Sequence, residues 1–414
     1  MKFCLVTTFY PPCHFGGDAT FVERLATALG RRGHRVDVVH DADAYRALGG
    51  GPAPAAERPP ANVSVHRLES GAGFLSPLAT HQTGLPLFKR PLGRVLESGG
   101  YDVIHFHNAS LIGPGAFAWG AAVKLYTIHE QWLICPLSLL WKHGRAVCDA
   151  PACTACCIRA GRPPQLWRAT GLLRRSLRHI DRFLAPSRFV AGIHRARGLD
   201  LPAEVLPLFL DDLDGQVGEA RASGGGRARA GARPYFIFVG RLVPPKGAHT
   251  LIGAFRDRPD IDLLVAGAGG QAAALREAAS GLANVLFLGQ VPNSQVRRLC
   301  RDAIAVLVPS LCYEVFPTVV LEAFAGATPV VARDLGGLAE MIRESNGGLL
   351  YSDQRGLREA IDRLRGDGDL RDALGRNGYA RLRDGWSADA HMRRYFAIID
   401  DCAAGRRGGV RADA

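Results

Sequence analysis

Two cationic side chains follow an apolar segment in the second half of the sequence. A buried strand is predicted at Phe236–Val239, with Arg241 at its carboxyl end and Lys246 five residues later. Arginine makes forked contacts with phosphate oxygens and lysine makes point contacts, so two cations fixed beside a strand end suit a diphosphate. The alternative is a loop with two solvated surface charges.

A second segment combines a helix start with two carboxylates. Pro317 fits the first helical position, where its missing N–H costs nothing, and the N–H groups of Thr318 and Val319 would then point outward as an anion site. Glu314 precedes this helix and Glu322 lies on it. Carboxylates beside an anion site can accept hydrogen bonds from sugar and ribose hydroxyls. The alternative for Glu314 is that it only caps the helix.

The elements that must position these residues are short apolar runs alternating with helical patterns, which predicts parallel sheets covered by helices. We therefore expect an α/β fold with two doubly wound, Rossmann-like domains. The strands are predicted at Phe3–Thr7, Arg35–Val39, Val63–Leu68, Val103–Phe106, Leu125–Ile128, Phe183–Ala185, Phe236–Val239, Leu263–Ala266, Val285–Leu288, Ile304–Val308, Pro329–Ala332 and Gly348–Leu350.

A chain of 414 residues is long enough for about two domains. The predicted division is an amino-terminal acceptor-side domain at 1–208, a flexible Gly- and Arg-rich linker at 209–234 and a donor-binding domain at 235–385. A helix at 386–404 is expected to cross back to the first domain, and 405–414 is expected to be disordered. Ligands should bind in a cleft where the carboxyl ends of both sheets meet.

Several motifs resemble glycosyltransferase family 4, whose members have the GT-B fold. They are Glu-x7-Glu at 314–322, Val-Gly-Arg-Leu-x-x-x-Lys-Gly at 239–247, Gly16-Gly17 after Tyr10-Pro11-Pro12, and the strand-end histidines of 102–107 and 127–130. The resemblance covers nearly the whole chain, with the motifs in order and at normal spacing.

The resemblance implies a role for each matched residue. Arg241 and Lys246 would neutralise the leaving diphosphate, Glu322 would hold the ribose, and Glu314 would contact the transferred sugar. His129 would polarise or position the reacting sugar; a structural histidine at a strand end is the alternative. The remaining donor contacts would come from Gly16, Gly17, Gly240, Gly289, Phe316, Pro317, Thr318 and Val319. Position 317 departs from the pattern, since many relatives carry glycine there.

The expected activity is transfer of a hexose or an amino sugar from a nucleotide diphosphate sugar, with retention of the anomeric configuration. A UDP-sugar is favoured over a GDP-sugar as the donor. The acceptor would be a hydroxyl of a small natural product or of a lipid-linked cell-envelope molecule. A sugar-nucleotide epimerase of the same fold and a non-catalytic sugar-nucleotide-binding protein are the alternatives. No cofactor is expected for catalysis, because none of the Asp-x-Asp pairs follows a strand that faces the predicted cleft.

Five cysteines lie in one insert, at 135, 148, 153, 156 and 157. Cys135, Cys148, Cys153 and Cys156 have a spacing that could hold a structural zinc ion. Free thiols and a redox-labile pair are the alternatives.

The formal charge of +12 comes almost entirely from arginine, since only five of the 51 basic residues are lysine. A basic amphipathic helix predicted at Gln165–Arg178 could touch an anionic membrane, while an ordinary core-facing helix is the alternative. We expect no nucleic-acid binding, because no stretch interleaves aromatic and basic residues. We also expect a cytoplasmic protein, with peripheral contact at the inner membrane face left open, because no signal-like or membrane-spanning segment is visible.

Overall fold

The structure is a computed structural model that describes residues 1–51, 59–210 and 233–412, with side chains to residue 407. Its strands are β1 (Lys2–Thr7), β2 (Arg35–Asp41), β3 (Val63–Leu68), β4 (Val103–Phe106), β5 (Val123–Thr127), β6 (Trp141–Lys142), β7 (Ala146–Val147), β8 (Arg182–Ala185), β9 (Ala203–Val205), β10 (Tyr235–Val239), β11 (Asp262–Ala266), β12 (Val285–Gly289), β13 (Val306–Val308), β14 (Val330–Arg333) and β15 (Gly348–Tyr351).

The helices cover the sheets or close the chain. They are α1 (Gly17–Arg31), α2 (Ala42–Ala47), α3 (Leu75–Thr83), α4 (Arg90–Ser98), α5 (Cys153–Arg159), α6 (Leu172–Leu177), α7 (Arg188–Ala196), α8 (His249–Phe255), α9 (Ala272–Ala278), α10 (Asn293–Asp302), α11 (Thr318–Ala325), α12 (Gly336–Ser345), α13 (Gln354–Gly366), α14 (Gly368–Gly385) and α15 (Ala388–Ala412).

The chain divides into two compact units. Unit 1 comprises Met1–Ser138, Ala152–Leu208 and His391–Ala414, and unit 2 comprises Leu139–Pro151 and Phe209–Ala390. The linker predicted at 209–234 falls mainly on residues 211–232, which lie outside the described residues. The last helix continues to Ala412, so the tail predicted to be disordered from 405 is helical as far as it is described.

Each unit is built on a parallel sheet, as the sequence predicts. The order in unit 1 is β3-β2-β1-β4-β5-β8-β9, and in unit 2 it is β12-β11-β10-β13-β14-β15. The strand order reverses between β1 and β4 and between β10 and β13, and ligands of doubly wound sheets bind outside such reversals. Every predicted strand is present within two residues at each end.

The burial of the strands explains why the predicted and the observed strands agree. Five of the six residues of β1 are buried, because helices cover both faces of a parallel sheet and leave a nearly continuous apolar run. In unit 2 the same pattern gives a core in which Phe236, Leu263 and Leu307 from three strands pack with Phe255 of α8. The short strands β6, β7 and β9 were not predicted, since two or three residues carry no periodicity.

Candidate functional site

Three strand ends of unit 2 are joined by glycines. The N–H of Gly240 donates to the carbonyl of Ala266 at 3.0 Å, and the N–H of Gly267 donates to the carbonyl of Gly289 at 2.7 Å. A Cβ on Gly267 would lie 1.9 Å from the Gly240 carbonyl oxygen, and its φ is +148°. Gly240 and Gly289 are therefore brought together by Gly267, a residue that the sequence analysis did not single out.

Lys246 is held by a tight turn against the loop that follows β13. It ends the 3₁₀ turn Pro244–Lys246, and Gly247 closes that turn with a φ of +73°. A Cβ on Gly247 would lie 2.1 Å from the carbonyl oxygen of Pro309, so no larger residue fits this backbone. The N–H of Leu311 also donates to the carbonyl of Pro245 at 2.8 Å, which fixes the turn to the loop.

This packing places Lys246 against Glu314. The Lys246 ammonium donates to Glu314 Oε1 at 2.7 Å, and the Ser310 hydroxyl donates to the same oxygen at 2.6 Å. Burial would raise the pKa of Glu314, but Lys246, the Ser310 hydrogen bond and the charge of Arg241 lower it, and the net pKa lies below its ordinary value. Arg241, Lys246 and Glu314 therefore form one charged cluster in which the cations outnumber the carboxylate.

The start of α11 differs from the prediction at Pro317. This residue is the N-cap, with φ −68° and ψ 116°, and Thr318 is the first helical residue. The prediction that Pro317 occupies the first helical position is wrong, because its extended ψ keeps it outside the helix. Thr318 and Val319 still begin the helix, where N–H groups have no partner within the helix itself.

Phe316 and Glu322 lie on either side of this helix start. The Phe316 side chain is buried and packs edge-on against Trp386, with ring centroids 5.4 Å apart. The Phe316 side chain therefore packs in the core of unit 2. Glu322 is half-buried on α11, and its charge contributes to the raised pKa of Cys300, so its carboxylate lies on the side of α11 near α10.

In unit 1, Gly16 and Gly17 begin α1 after β1. Gly16 is the N-cap, with φ −156° and ψ 178°. Many residues adopt this extended conformation, so the backbone angles of Gly16 do not by themselves require glycine. The remaining constraint is space, because a Cβ on Gly16 would lie 3.0 Å from Asp18 Oδ1.

His129 is the outer member of a chain of aromatic and polar side chains in unit 1. Its Nε2 lies 2.9 Å from Nδ1 of His107, whose ring lies 3.9 Å from that of His105. The two nitrogens of His105 lie 2.8 Å from the Thr127 hydroxyl and 2.9 Å from the Tyr395 hydroxyl. Burial lowers the pKa of all three histidines, that of His129 to about 4, so these rings are neutral at pH 7.

The four cysteines of the predicted zinc set lie in segments that belong to different units. Burial first, and then Cys153, Cys135 and Cys156, raise the pKa of Cys157, so these thiols lie near one another. Cys148 belongs instead to the segment grouped with unit 2 and donates to the carbonyl of Ala150 at 3.5 Å. Within residues 1–51, 59–210 and 233–412, no three His, Cys, Asp or Glu side chains are arranged to hold a metal ion. The structural zinc site, the free thiols and the redox-labile pair all stay predictions.

The basic helix predicted at Gln165–Arg178 is interrupted. Leu166–Thr170 is a 3₁₀ turn, Gly171 has a φ of +74°, and α6 begins only at Leu172. The prediction of one continuous helix is wrong, because the left-handed glycine ends the first turn. Across the described residues, no helix combines the length and the apolar composition that crossing a bilayer requires.

Comparison with known proteins gives matches along most of the chain. A family model described as Glycosyltransferase Family 4 matches residues 15–212, and one described as Glycosyl transferases group 1 matches residues 226–381. The chain is 26% identical over 419 residues to an uncharacterised glycosyltransferase of Methanocaldococcus jannaschii, which covers 94% of this chain and 95% of that protein.

Two solved structures are similar over nearly their whole length. The sucrose-phosphate synthase of Thermosynechococcus elongatus has a TM-score of 0.74 at 22% identity and covers 98% of this chain and 100% of its own. The Anabaena protein HepE, solved in complex with UDP, has a TM-score of 0.65 at 18% identity, covering 97% of this chain and 100% of its own. Together with the two parallel sheets, these likenesses confirm the predicted two-domain GT-B fold.

Proposed function

The chain belongs to glycosyltransferase family 4, and we propose that it is a retaining enzyme that moves a hexose or an amino sugar from a UDP-sugar to a hydroxyl group. The observation that carries this proposal is the cluster of Arg241, Lys246 and Glu314 beside the start of α11. Two cations and the free N–H groups of a helix start suit a pyrophosphate, and the carboxylate suits the hydroxyls of the sugar.

The proposed chemistry places the developing charge on the departing diphosphate. As the bond between the sugar and the diphosphate breaks, Lys246 exchanges its contact with Glu314 for a contact with a phosphate oxygen. Arg241 neutralises a second phosphate oxygen. Fixed cations and helix N–H groups need no rearrangement at that moment, so they lower the barrier by about 3–4 kcal/mol per strong contact. The leaving phosphate accepts the proton of the attacking hydroxyl, and no enzyme carboxylate acts as a nucleophile.

Neutral His129 is proposed to position the transferred sugar. With Nε2 occupied by His107, its Nδ1 is the nitrogen left for a sugar hydroxyl. A neutral ring can either donate or accept there, according to which nitrogen holds the proton. A cation at this point would instead oppose the positive charge of an oxocarbenium-like transition state, so the low pKa of His129 agrees with the role.

UDP is proposed as the nucleotide because HepE, which has the same fold, was solved with UDP. The acceptor is proposed to be a small natural product or a lipid-linked molecule reached in the cytoplasm, where nucleotide sugars are made. Contact with an anionic membrane, if used to reach a lipid-linked acceptor, would involve the arginines of α6 rather than one long helix. Sedimentation with anionic and neutral vesicles separates the two kinds of acceptor.

Calorimetry of the full chain with UDP and GDP, followed by turnover with a panel of UDP-sugars, tests the proposal. We expect UDP to bind and one UDP-sugar to be consumed only when an acceptor hydroxyl is supplied, with the anomeric configuration kept in the product. Consumption of the donor with release of an epimerised sugar nucleotide would support the epimerase instead. Failure of every nucleotide diphosphate to bind would overturn the proposed donor site.

A further inference from the structure

Large apolar side chains are concentrated on one part of the unit 1 surface. Among the residues that the structure describes, six of the exposed ones fall within residues 74–88: Phe74, Leu75, Leu78, Leu85, Leu87 and Phe88. Phe74 alone is 64% exposed. A single exposed leucine is ordinary on a folded protein, whereas a patch of large apolar side chains marks an interaction site.

The helix α3 in this segment has the reverse of the usual polarity. Its buried residues are Ser76, Pro77 and Thr80. Leu75 and Leu78 are both exposed, and their spacing of three positions puts them on one face of the helix. A helix that only covers a sheet has its apolar face inward and its polar face outward. The outer face of α3 is therefore built for an apolar neighbour.

The loop after α3 repeats this arrangement. Lys89 is buried, where its ammonium pairs with the carboxylate of Asp41 and donates to Ser76 Oγ at 3.1 Å. Leu87 and Phe88, directly before Lys89 in the chain, are exposed. The chain thus directs its charged side chain inward and its apolar side chains outward, although contact with water favours the opposite choice.

The 3₁₀ turn Leu166–Thr170 extends this patch. Trp167 Nε1 donates to the carbonyl of His81 at 2.9 Å, and a Cβ on Gly84 would lie 2.8 Å from the Trp167 ring. Leu166, next to Trp167, is 73% exposed, the largest value for a bulky apolar side chain among the described residues. Residues 74–88 and Leu166, all in unit 1, are called the apolar patch below.

The chain around the apolar patch carries positive charge and no carboxylate. Residues 70–96 contain three basic residues and residues 150–180 contain six, and neither segment contains an aspartate or a glutamate. Exposed arginines of the second segment are Arg159, Arg162, Arg174, Arg175 and Arg178. Arg162 acts on the end of α3, since burial first and then the charges of Arg162 and Arg168 lower the pKa of His81.

This combination matches the surface of an anionic bilayer. The acyl boundary accepts leucine and phenylalanine, and the phosphate headgroups attract arginine. Two copies of the same positive surface would instead repel each other. We propose that the apolar patch and the arginines beside it dock this protein on an anionic lipid bilayer. Docking would bring the enzyme to lipid-linked acceptors, a consequence that rests on the proposed function.

Cosedimentation of the full chain with phosphatidylcholine vesicles, prepared with and without phosphatidylglycerol, tests the proposal. We expect strong binding only when phosphatidylglycerol is present, because the arginines need anionic headgroups. Salt should weaken this binding without abolishing it, since salt screens the charges but leaves the apolar contact intact.

Two double variants separate the apolar contribution from the charged one. Leu87→Ser with Phe88→Ser should lower vesicle binding at least about tenfold at low and at high salt, because the apolar burial is lost. Arg162→Gln with Arg175→Gln should lower it about 25-fold at low salt, about fivefold for each charge, and should reduce its dependence on salt.

Matched controls change the same residue types elsewhere. Leu286→Ser with Leu288→Ser alters two leucines on β12 that are 39% and 38% exposed, and Arg355→Gln with Arg383→Gln removes two charges exposed on α13 and α14. Both controls should bind vesicles as the wild type does. Thermal unfolding checks that each variant is folded, and Leu78→Ser replaces the first apolar pair if that pair fails to fold.

Distinct results would overturn the inference. These are wild-type binding that is absent or equal for the two kinds of vesicle, and an apolar variant that binds vesicles as tightly as the wild type. A wild-type dimer that the apolar variant dissociates would identify a second copy as the occupant. Binding of soluble poly-L-glutamate that the apolar variant weakens as much as vesicle binding would identify an acidic protein instead. Failure of the wild type to bind UDP would count only against the proposed function.

Discussion

Replacing Lys246 and Glu314 separately should change UDP binding in opposite directions. Lys246 donates to Glu314 at 2.7 Å, and the two side chains are 28% and 12% exposed. A hydrogen bond to a charged group contributes about 1.5–3 kcal/mol, so Lys246→Met should weaken UDP binding about 30-fold, or about 2 kcal/mol. Glu314→Gln removes a negative charge close to the diphosphate and frees Lys246, so it should tighten UDP binding while turnover falls.

The same pair predicts the sign of a pH effect on stability. The pKa of Glu314 is lowered in the folded protein, so its contribution to stability is present above the unfolded pKa, about 4.5, and is lost as pH falls through the folded pKa. Burial has the largest single effect on the pKa of Glu314 and raises it. In Lys246→Met the lysine no longer opposes this effect, so the pKa of Glu314 should rise. The variant's deficit in stability relative to the wild type should therefore be larger at pH 7 than at pH 4.

Calorimetry with UDP and thermal unfolding at pH 4 and pH 7 measure both effects. Lys142→Met is the matched control, since Lys142 also donates to a carboxylate at 2.7 Å, but to the exposed Asp149. It should change neither UDP affinity nor the pH dependence appreciably. The reasoning is refuted if Lys246→Met and Glu314→Gln shift UDP affinity in the same direction, or if the stability deficit of Lys246→Met is equal at both pH values.

Three further variants probe the rest of the site and its support. His129→Asn should lower turnover on the order of 100-fold while UDP affinity stays unchanged. In the wild type this ring should add no inflection to the pH–rate profile between pH 6 and pH 8, because its pKa is about 4. Equal turnover of variant and wild type in steady-state assays would exclude a positioning role. Gly267→Ala should abolish UDP binding in calorimetry, because its Cβ would lie 1.9 Å from the carbonyl oxygen of Gly240, whereas Gly253→Ala in open space on α8 should bind UDP normally. Lys89→Met should lower the free energy of unfolding by about 3–5 kcal/mol, because Lys89 and Asp41 form an ion pair whose side chains are only 2% and 1% exposed. Adding Asp41→Asn should recover much of that loss in chemical unfolding. A deficit unchanged by the second substitution would argue against an uncompensated carboxylate.

The structure places the predicted site residues at the expected strand and turn ends where local order suffices. Arg241 follows its strand after a single glycine, and Lys246 ends a turn closed by another, so a few residues of chain decide where each side chain begins. Pro317 shows the limit of such reasoning. A proline suits either the N-cap or the first helical position, and the choice depends on the ψ value that the loop from 309 to 316 imposes.

The cysteine insert shows a second limit. Spacing of thiols along the chain is compatible with several groupings, because loops of 12 and four residues can bring their ends together in many ways. The structure groups Cys157 with Cys135, Cys153 and Cys156, and places Cys148 in a different segment. No pattern in the sequence distinguishes these groupings.

The sequence by itself determined the two parallel sheets and the identity of the residues after their strands, because buried strands between helices must be continuous apolar runs. Tertiary structure decided which distant groups meet. Tyr395 reaches His105 across 290 positions, and Lys246 reaches Glu314 across 68. Such contacts follow from the packing of whole elements, so the neutral state of His129 and the raised pKa of Glu130, both caused by burial, could be recognised only in the folded chain.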